Sequence, residues 1–145
     1  MPETRWIGVD PGTKYVGIAI SAGSMAMPVN VLPATPHAKL LDELKKLATR
    51  ERATGFVVGL PLNMNGSEGP AAKQAREFAA ELAGHTGLPV ELVDERLSSF
   101  EAEGRLIDGG MKPSERKMRV HAVAAQLLLE AYLGRVSGES GKQPE

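Results

Sequence analysis

A chain of 145 residues with 17 Lys and Arg against 18 Asp and Glu carries a net charge of -1 and no cysteine. That length suits one hydrophobic core and is too short for two substantial domains, and the near-even charge excludes wholesale nonspecific binding of nucleic acid, leaving local basic patches. Without thiols there are no disulfides and any metal must be held by oxygen or imidazole; no apolar run approaches the ~18 residues of a membrane span.

The N-terminal "MPETR" has no hydrophobic signal core, so a cytoplasmic location is expected. "RWIGVD" and "VGIAIS" alternate as two strands around the turn "PGTK", where Gly12 is expected to supply a positive φ. "MPVNVLP" reads as a third strand. Leu40, Leu41, Leu44, Leu47 and Ala48 recur at helical spacing between Pro36 and Thr49. "GFVVGLPL" is the apolar run of a strand covered on both faces. Pro70 then suits a first helical turn, and Ala71, Ala75, Phe78, Ala79 and Leu82 line one face up to Gly87. "LPVELVDER" is a fifth strand ending in charge. Ser98 with Glu101 forms a capping box for a short helix that stops at Gly109 and Gly110. The last helix is expected from about Ser114 to Leu133. Residues 134–145 then form a polar, disordered tail after a single domain over 1–133.

Strands first, then alternating helix and strand, predict an α/β fold with a mixed sheet flanked by helices. Sites in such sheets gather where strand ends meet helix termini. Asp10 closes the first strand, and Asp94 and Glu95 close the fifth. Any one of them alone is ordinary for a strand end. Together they make an oxygen-rich cluster suited to Mg²⁺ or Mn²⁺.

Four segments, "GVDPGTKYVGIAIS", "VVGLPLNMNGSEG", "VDERLSSFEAE" and "VHAVAAQLLLEAYL", occur in the order found in the YqgF/RuvX family. These are Holliday-junction-resolvase-like nucleases linked to maturation of the 5′ end of pre-16S rRNA, and the resemblance runs from about Trp6 to Leu133. It implies an RNase H-like fold with a mixed five-stranded central sheet, and hydrolysis of phosphodiester bonds with a divalent metal. The substrate it implies is pre-16S rRNA, or a structured or branched nucleic acid such as a DNA junction, and the family often acts in pairs, so a homodimer is an expectation. Carried over residue by residue, Asp10 and Glu95 are metal ligands and catalytic. Asp94 is the less secure of its pair, because neighbouring strand residues point to opposite faces.

The chain departs from the family at its third acid, where His121 stands in place of the usual Asp. His121 shares a helix face with Ala124, Ala125, Leu128 and Tyr132, where a histidine is commonly a packing residue; an imidazole can also ligate Mn²⁺ in place of a carboxylate, which favours Mn²⁺ over Mg²⁺, or act as acid or base near neutral pH, so His121 is carried as a metal ligand and a catalytic residue. Phosphate contacts are assigned to Lys14, Arg96, Lys112, Arg116, Lys117 and Arg119, four of them in the basic loop "GGMKPSERKMR". Asn63, Asn65 and Ser67 of "LPLNMNGSEG" offer a second polar wall, or equally the segment is only a strand-to-helix connection with a Gly turn. Two other readings compete. The turn "DPGTK" also resembles the phosphate loop of actin-like sugar kinases and chaperone ATPases, which close two such domains around ATP where this chain has one. A non-catalytic RNA-binding assembly factor would follow if His121 marks a decayed metal site.

Overall fold

In the computed structural model, which describes residues 4–94 and 112–141, the early alternation becomes a meander. Its strands are β1 (Trp6–Asp10), β2 (Tyr15–Ala22) and β3 (Met25–Pro33), paired antiparallel with Asp10 opposite Gly17. After helix α1 (His37–Glu51) the chain enters on the other side of β1 as β4 (Gly55–Leu60), parallel to it. After α2 (Pro70–Thr86) comes β5 (Val90–Asp94), parallel to β4, and the sheet order is β3-β2-β1-β4-β5. A long helix, α3 (Pro113–Gly141), closes the fold.

The boundaries differ from the sequence reading for local reasons. β4 stops at Leu60 because Pro61 has no N–H for the ladder. α3 runs past Leu133 to Gly141, since glycine weakens a helix without forbidding it and the next proline is Pro144. The short helix expected after Ser98 lies outside the described residues.

The sheet separates two apolar layers. Ile7, Val9, Ile18, Phe56 and Val58 face α1 and α2 through Leu40, Leu44, Phe78 and Leu82. On the opposite face Ala19, Val57 and Val93 meet Ala125, Leu128 and Leu129 of α3. β4 is therefore covered on both sides, which is why it reads as an unbroken apolar run. α3 settles into a groove made by glycines. A methyl on Gly8 would stand 2.8 Å from the Ala125 carbonyl, and one on Gly17 would overlap the His121 carbonyl. Trp6 meets Tyr132 edge-on at 5.0 Å between ring centroids, anchoring the far end of the same contact.

Between α1 and α2, His37 reaches Glu81 at 2.9 Å and His85 reaches Asp42 at 2.8 Å, so each helix contributes one imidazole and one carboxylate to the seam. The outer strand β3 exposes Met25, Met27 and Val29. Its edge is poor in donors: Pro28 and Pro33 have no N–H, the register shifts between Ile18 and Ala19, and the Val31 N–H is taken by the neighbouring Asn30 side chain at 2.8 Å.

A methyl at Gly84, late in α2, would meet nothing within 4 Å. Gly84→Ala should therefore stabilise the protein by about 0.5–1 kcal/mol through helix propensity, read as a rise in Tm of about 2–4 °C.

Candidate active site

The chain leaves β1 in one direction along the sheet and returns on its other side as β4, which makes the crevice at the C-terminal ends of these two strands the topological switch point. Asp10 sits there, 6% exposed. Trp6 and Gly8 lie against α3, and strand alternation puts Asp10 on that same face. Hydrogen-bonded strands run on both sides of β1, so the backbone bearing this carboxylate is held from two directions.

The turn after Asp10 uses its glycine differently from the expectation. The described glycines with positive φ are Gly23, Gly66 and Gly87, and Gly12 is not among them. Gly12 is required for space instead, because a Cβ there would strike the Tyr15 carbonyl. Thr13 and Lys14 are exposed at the end of the turn, with the Lys14 carbonyl accepting a 2.9 Å hydrogen bond from the Ala34 N–H.

α3 delivers His121 to this turn from the opposite end of the chain. Its carbonyl lies on Gly17, the strand partner of Asp10, and its ring is tilted against Tyr15 at 5.9 Å between centroids. The imidazole Cε1 is 3.9 Å from the place a Gly12 Cβ would occupy, so the half-buried ring stands beside the mouth of the hairpin. Of the residues expected on the sheet-facing side, Ala125 and Leu128 pack with the sheet, whereas Ala124, equally buried, clusters with Val123 and Leu127.

The other residues separate. Asp94 pairs with Leu60, one step beyond the pair Gly59 and Val93. Val93 packs under α3 and Leu92 under α2, so alternation puts the exposed Asp94 on the α2 face, across the sheet from Asp10. Glu95 and Arg96 lie outside the described residues. Among the described residues no three His, Asp or Glu side chains gather into a metal cluster. Lys112 is exposed just before α3, whereas Arg116 and Lys117 fall in its first turns. The basic segment is thus helical from Pro113 onward and not a loop as far as Arg119, with proline suited to the first helical position. Arg119 and His121 stand about 200° apart around the helix axis. Arg119 accordingly lines a hollow with Pro28, Asn30 and Ala122 beside β3, on the side of the helix away from the hairpin.

Asn63 and Asn65 are exposed in the loop between β4 and α2, but their polar atoms are turned inward on Ser67. Asn63 Nδ2 donates to Ser67 Oγ at 2.9 Å, and Asn65 Oδ1 accepts from the Ser67 N–H at 3.0 Å and hydroxyl at 2.6 Å. The Gly66 N–H closes a turn on the Asn63 carbonyl at 2.8 Å. Arg76 of α2 then grips Glu68 through two nitrogens at 2.8 and 2.6 Å, and these hydrogen bonds hold the Glu68 carboxyl below the usual carboxylate range. The stabilisation from that pair is present above the unfolded-state value and is lost only as pH falls through the depressed one. Sequence reasoning missed this brace. Its one local signal was Gly66, placed where the turn needs positive φ.

The Asp10 carboxylate and the His121 imidazole, brought to the same turn, are oxygen and nitrogen donors of the kinds that divalent cations take. The architecture matches that of RuvC from T. thermophilus solved with a Holliday junction substrate, at a TM-score of 0.60 and 16% identity over 94% of this chain and 97% of that one. A second T. thermophilus RuvC structure matches at 0.55. The fold is RNase H-like. Relatives that carry the provisional name pre-16S rRNA nuclease are much nearer in sequence. The protein of Anaeromyxobacter sp. (strain Fw109-5) is 46% identical over 89% of this chain and 96% of its own length. That of Carboxydothermus hydrogenoformans is 40% identical over 88% and 94%. The model of the RuvX family, described as Holliday junction resolvase, matches residues 4–135, and the chain belongs to that family.

Proposed function

We propose that this protein is a divalent-metal-dependent nuclease that hydrolyses phosphodiester bonds at the 5′ end of pre-16S rRNA. The observation that supports it most is the convergence of the buried Asp10 and the half-buried His121 at the switch point of an RNase H-like sheet. Asp10 and His121 would hold the metal, with Glu95 as the further ligand and catalytic group that the family motif supplies. When bound there, such an ion would supply an activated water and a counter-charge for the leaving oxygen. The chain's own part is to fix the donors and position the strand. The ladders on both sides of β1 hold Asp10, and the glycine groove seats α3 so that His121 meets the turn. Lys14 and Lys112, both exposed, would take phosphates, with Arg96, Arg116, Lys117 and Arg119 as the further phosphate contacts of the reading. Asp94, on the other face, acts on the loop and strand end beside the site. Two such chains would suit a symmetric junction, and one suffices for trimming a single strand.

Cleavage of a pre-16S 5′ leader and of a four-way DNA junction, titrated with Mn²⁺ and Mg²⁺, tests the reading. Wild-type protein should cut the RNA leader in a metal-dependent way. His121→Ala should need more Mn²⁺, by at least the ~10–100-fold that loss of an outer-shell partner costs, and His121→Asp should recover activity with Mg²⁺. A His121→Ala titration that overlays the wild type would remove His121 from the site. Metal-independent cleavage, or none, would overturn the proposal.

A further inference from the structure

The loop 61–69 walls the end of the sheet beyond β4, at the same edge as Asp10, and its chemistry is unusual for a nucleic-acid surface. Every polar side chain in its turn is committed internally: Asn63, Asn65 and Ser67 to one another, Glu68 to Arg76. The side chain it presents is Met64, 73% exposed at the tip. The braced loop carries Met64 at its tip, largely exposed. The tip lies at the same end of the sheet as Asp10. Val9 and Val58 are strand partners, so Asp10 is level with Gly59, and Met64 lies five residues further on. Extended chain limits that span to about 17 Å, and the turn closed between Asn63 and Gly66 shortens it.

The described aromatic side chains do not offer a stacking platform. Trp6 is packed on Tyr132, Tyr15 on His121, Phe78 against His37, and Phe56 is fully buried. A nucleobase brought to this end of the sheet can meet a thioether instead. Methionine is flexible and polarisable, makes favourable contacts with π-systems, and is among the side chains that proteins insert between base steps.

We infer that Met64 is a base-contacting wedge: it packs against an unpaired nucleobase within a few nucleotides of the phosphate held at Asp10, and so selects strands whose bases are already unstacked. The inference rests on the nuclease reading and assigns this wall of the same site. The phosphate contacts fix the backbone, and Met64 reads whether a base is free to turn aside.

The test uses full-length protein carrying Asp10→Asn, so that binding is measured without turnover, and leader RNAs with 2-aminopurine at successive unpaired positions around the cleavage site. At one position binding should change the fluorescence, and adding Met64→Ala should abolish that change and weaken affinity about fivefold, the lower end of the ~1–3 kcal/mol of a base stack. Met64→Leu should retain both. An abasic nucleotide at that position should erase the affinity difference between the Met64→Ala protein and its parent, and equal melting temperatures should show that the loop is intact. Unchanged fluorescence and affinity in Met64→Ala, with wild type still cleaving, would overturn the wedge and leave the nuclease reading standing. A loss of affinity that persists on the abasic strand would also overturn it. Wild-type protein that neither binds nor cuts RNA or junction DNA would overturn both.

Discussion

Asp10→Asn should give a folded protein that binds nucleic acid and does not cut it. The substitution keeps the shape of a side chain that is 6% exposed and removes the charge a divalent cation needs. Because Asp10 is proposed as a direct ligand, the single-turnover rate should fall by more than the ~100-fold seen for loss of an outer-shell partner, and raising Mn²⁺ should not restore it. The melting curve and the affinity for the leader RNA should stay near wild type, since the strand pairs on both sides of β1 are untouched. An Asp10→Asn protein that cleaves at the wild-type rate would sink the metal-nuclease reading as a whole.

The second large effect is expected from Gly17→Ala, at a residue with no chemical group of its own to offer. Its methyl would overlap the His121 carbonyl, a helix backbone atom that has no rotamer through which to move aside. α3 must shift outward, which should cost about 3 kcal/mol, the upper end of the usual overpacking range, and lower Tm by about 10 °C. Gly8→Ala, whose methyl would stand 2.8 Å from the Ala125 carbonyl, should cost less. The shift also carries the imidazole away from the hairpin. Gly17→Ala should therefore lose cleavage even at temperatures where circular dichroism shows it folded, and wild-type activity there would separate His121 from catalysis.

The parts of the fold that were readable in the sequence are those written in side-chain periodicity. The alternation of Trp6 to Ser21, the apolar run at Gly55–Leu60 and the helical spacing of Leu40 to Leu47 each became the expected element, because burial of one face or two dictates the pattern. The sheet-facing Ala125 and Leu128 of α3 were legible for the same reason, while Ala124 packs with Val123 and Leu127 instead. Gly12 was misread, since a glycine kept for a positive φ and one kept for lack of room look identical in a sequence. The parity that puts Asp94 on the α2 face could be fixed only by the register with β4, a non-local pairing. Asn63 and Asn65 looked like free donors because a string of letters does not show that Ser67 consumes them. Arg119 looked like part of a basic loop, and the helix that replaces this loop sets it beside β3 with Pro28, Asn30 and Ala122.

The seat of α3 on Gly8 and Gly17 has a temporal consequence. β1, β2 and β3 are joined by short connections and can pair as soon as they emerge during synthesis, whereas the helix that carries His121 is made last. Until it docks, Asp10 is an acid on a bare sheet with two glycine notches beside it. A nascent or truncated chain can thus hold much of the sheet and still have no second donor at the hairpin. Under the role proposed for His121, the site is complete only when this helix closes over strands translated well before it.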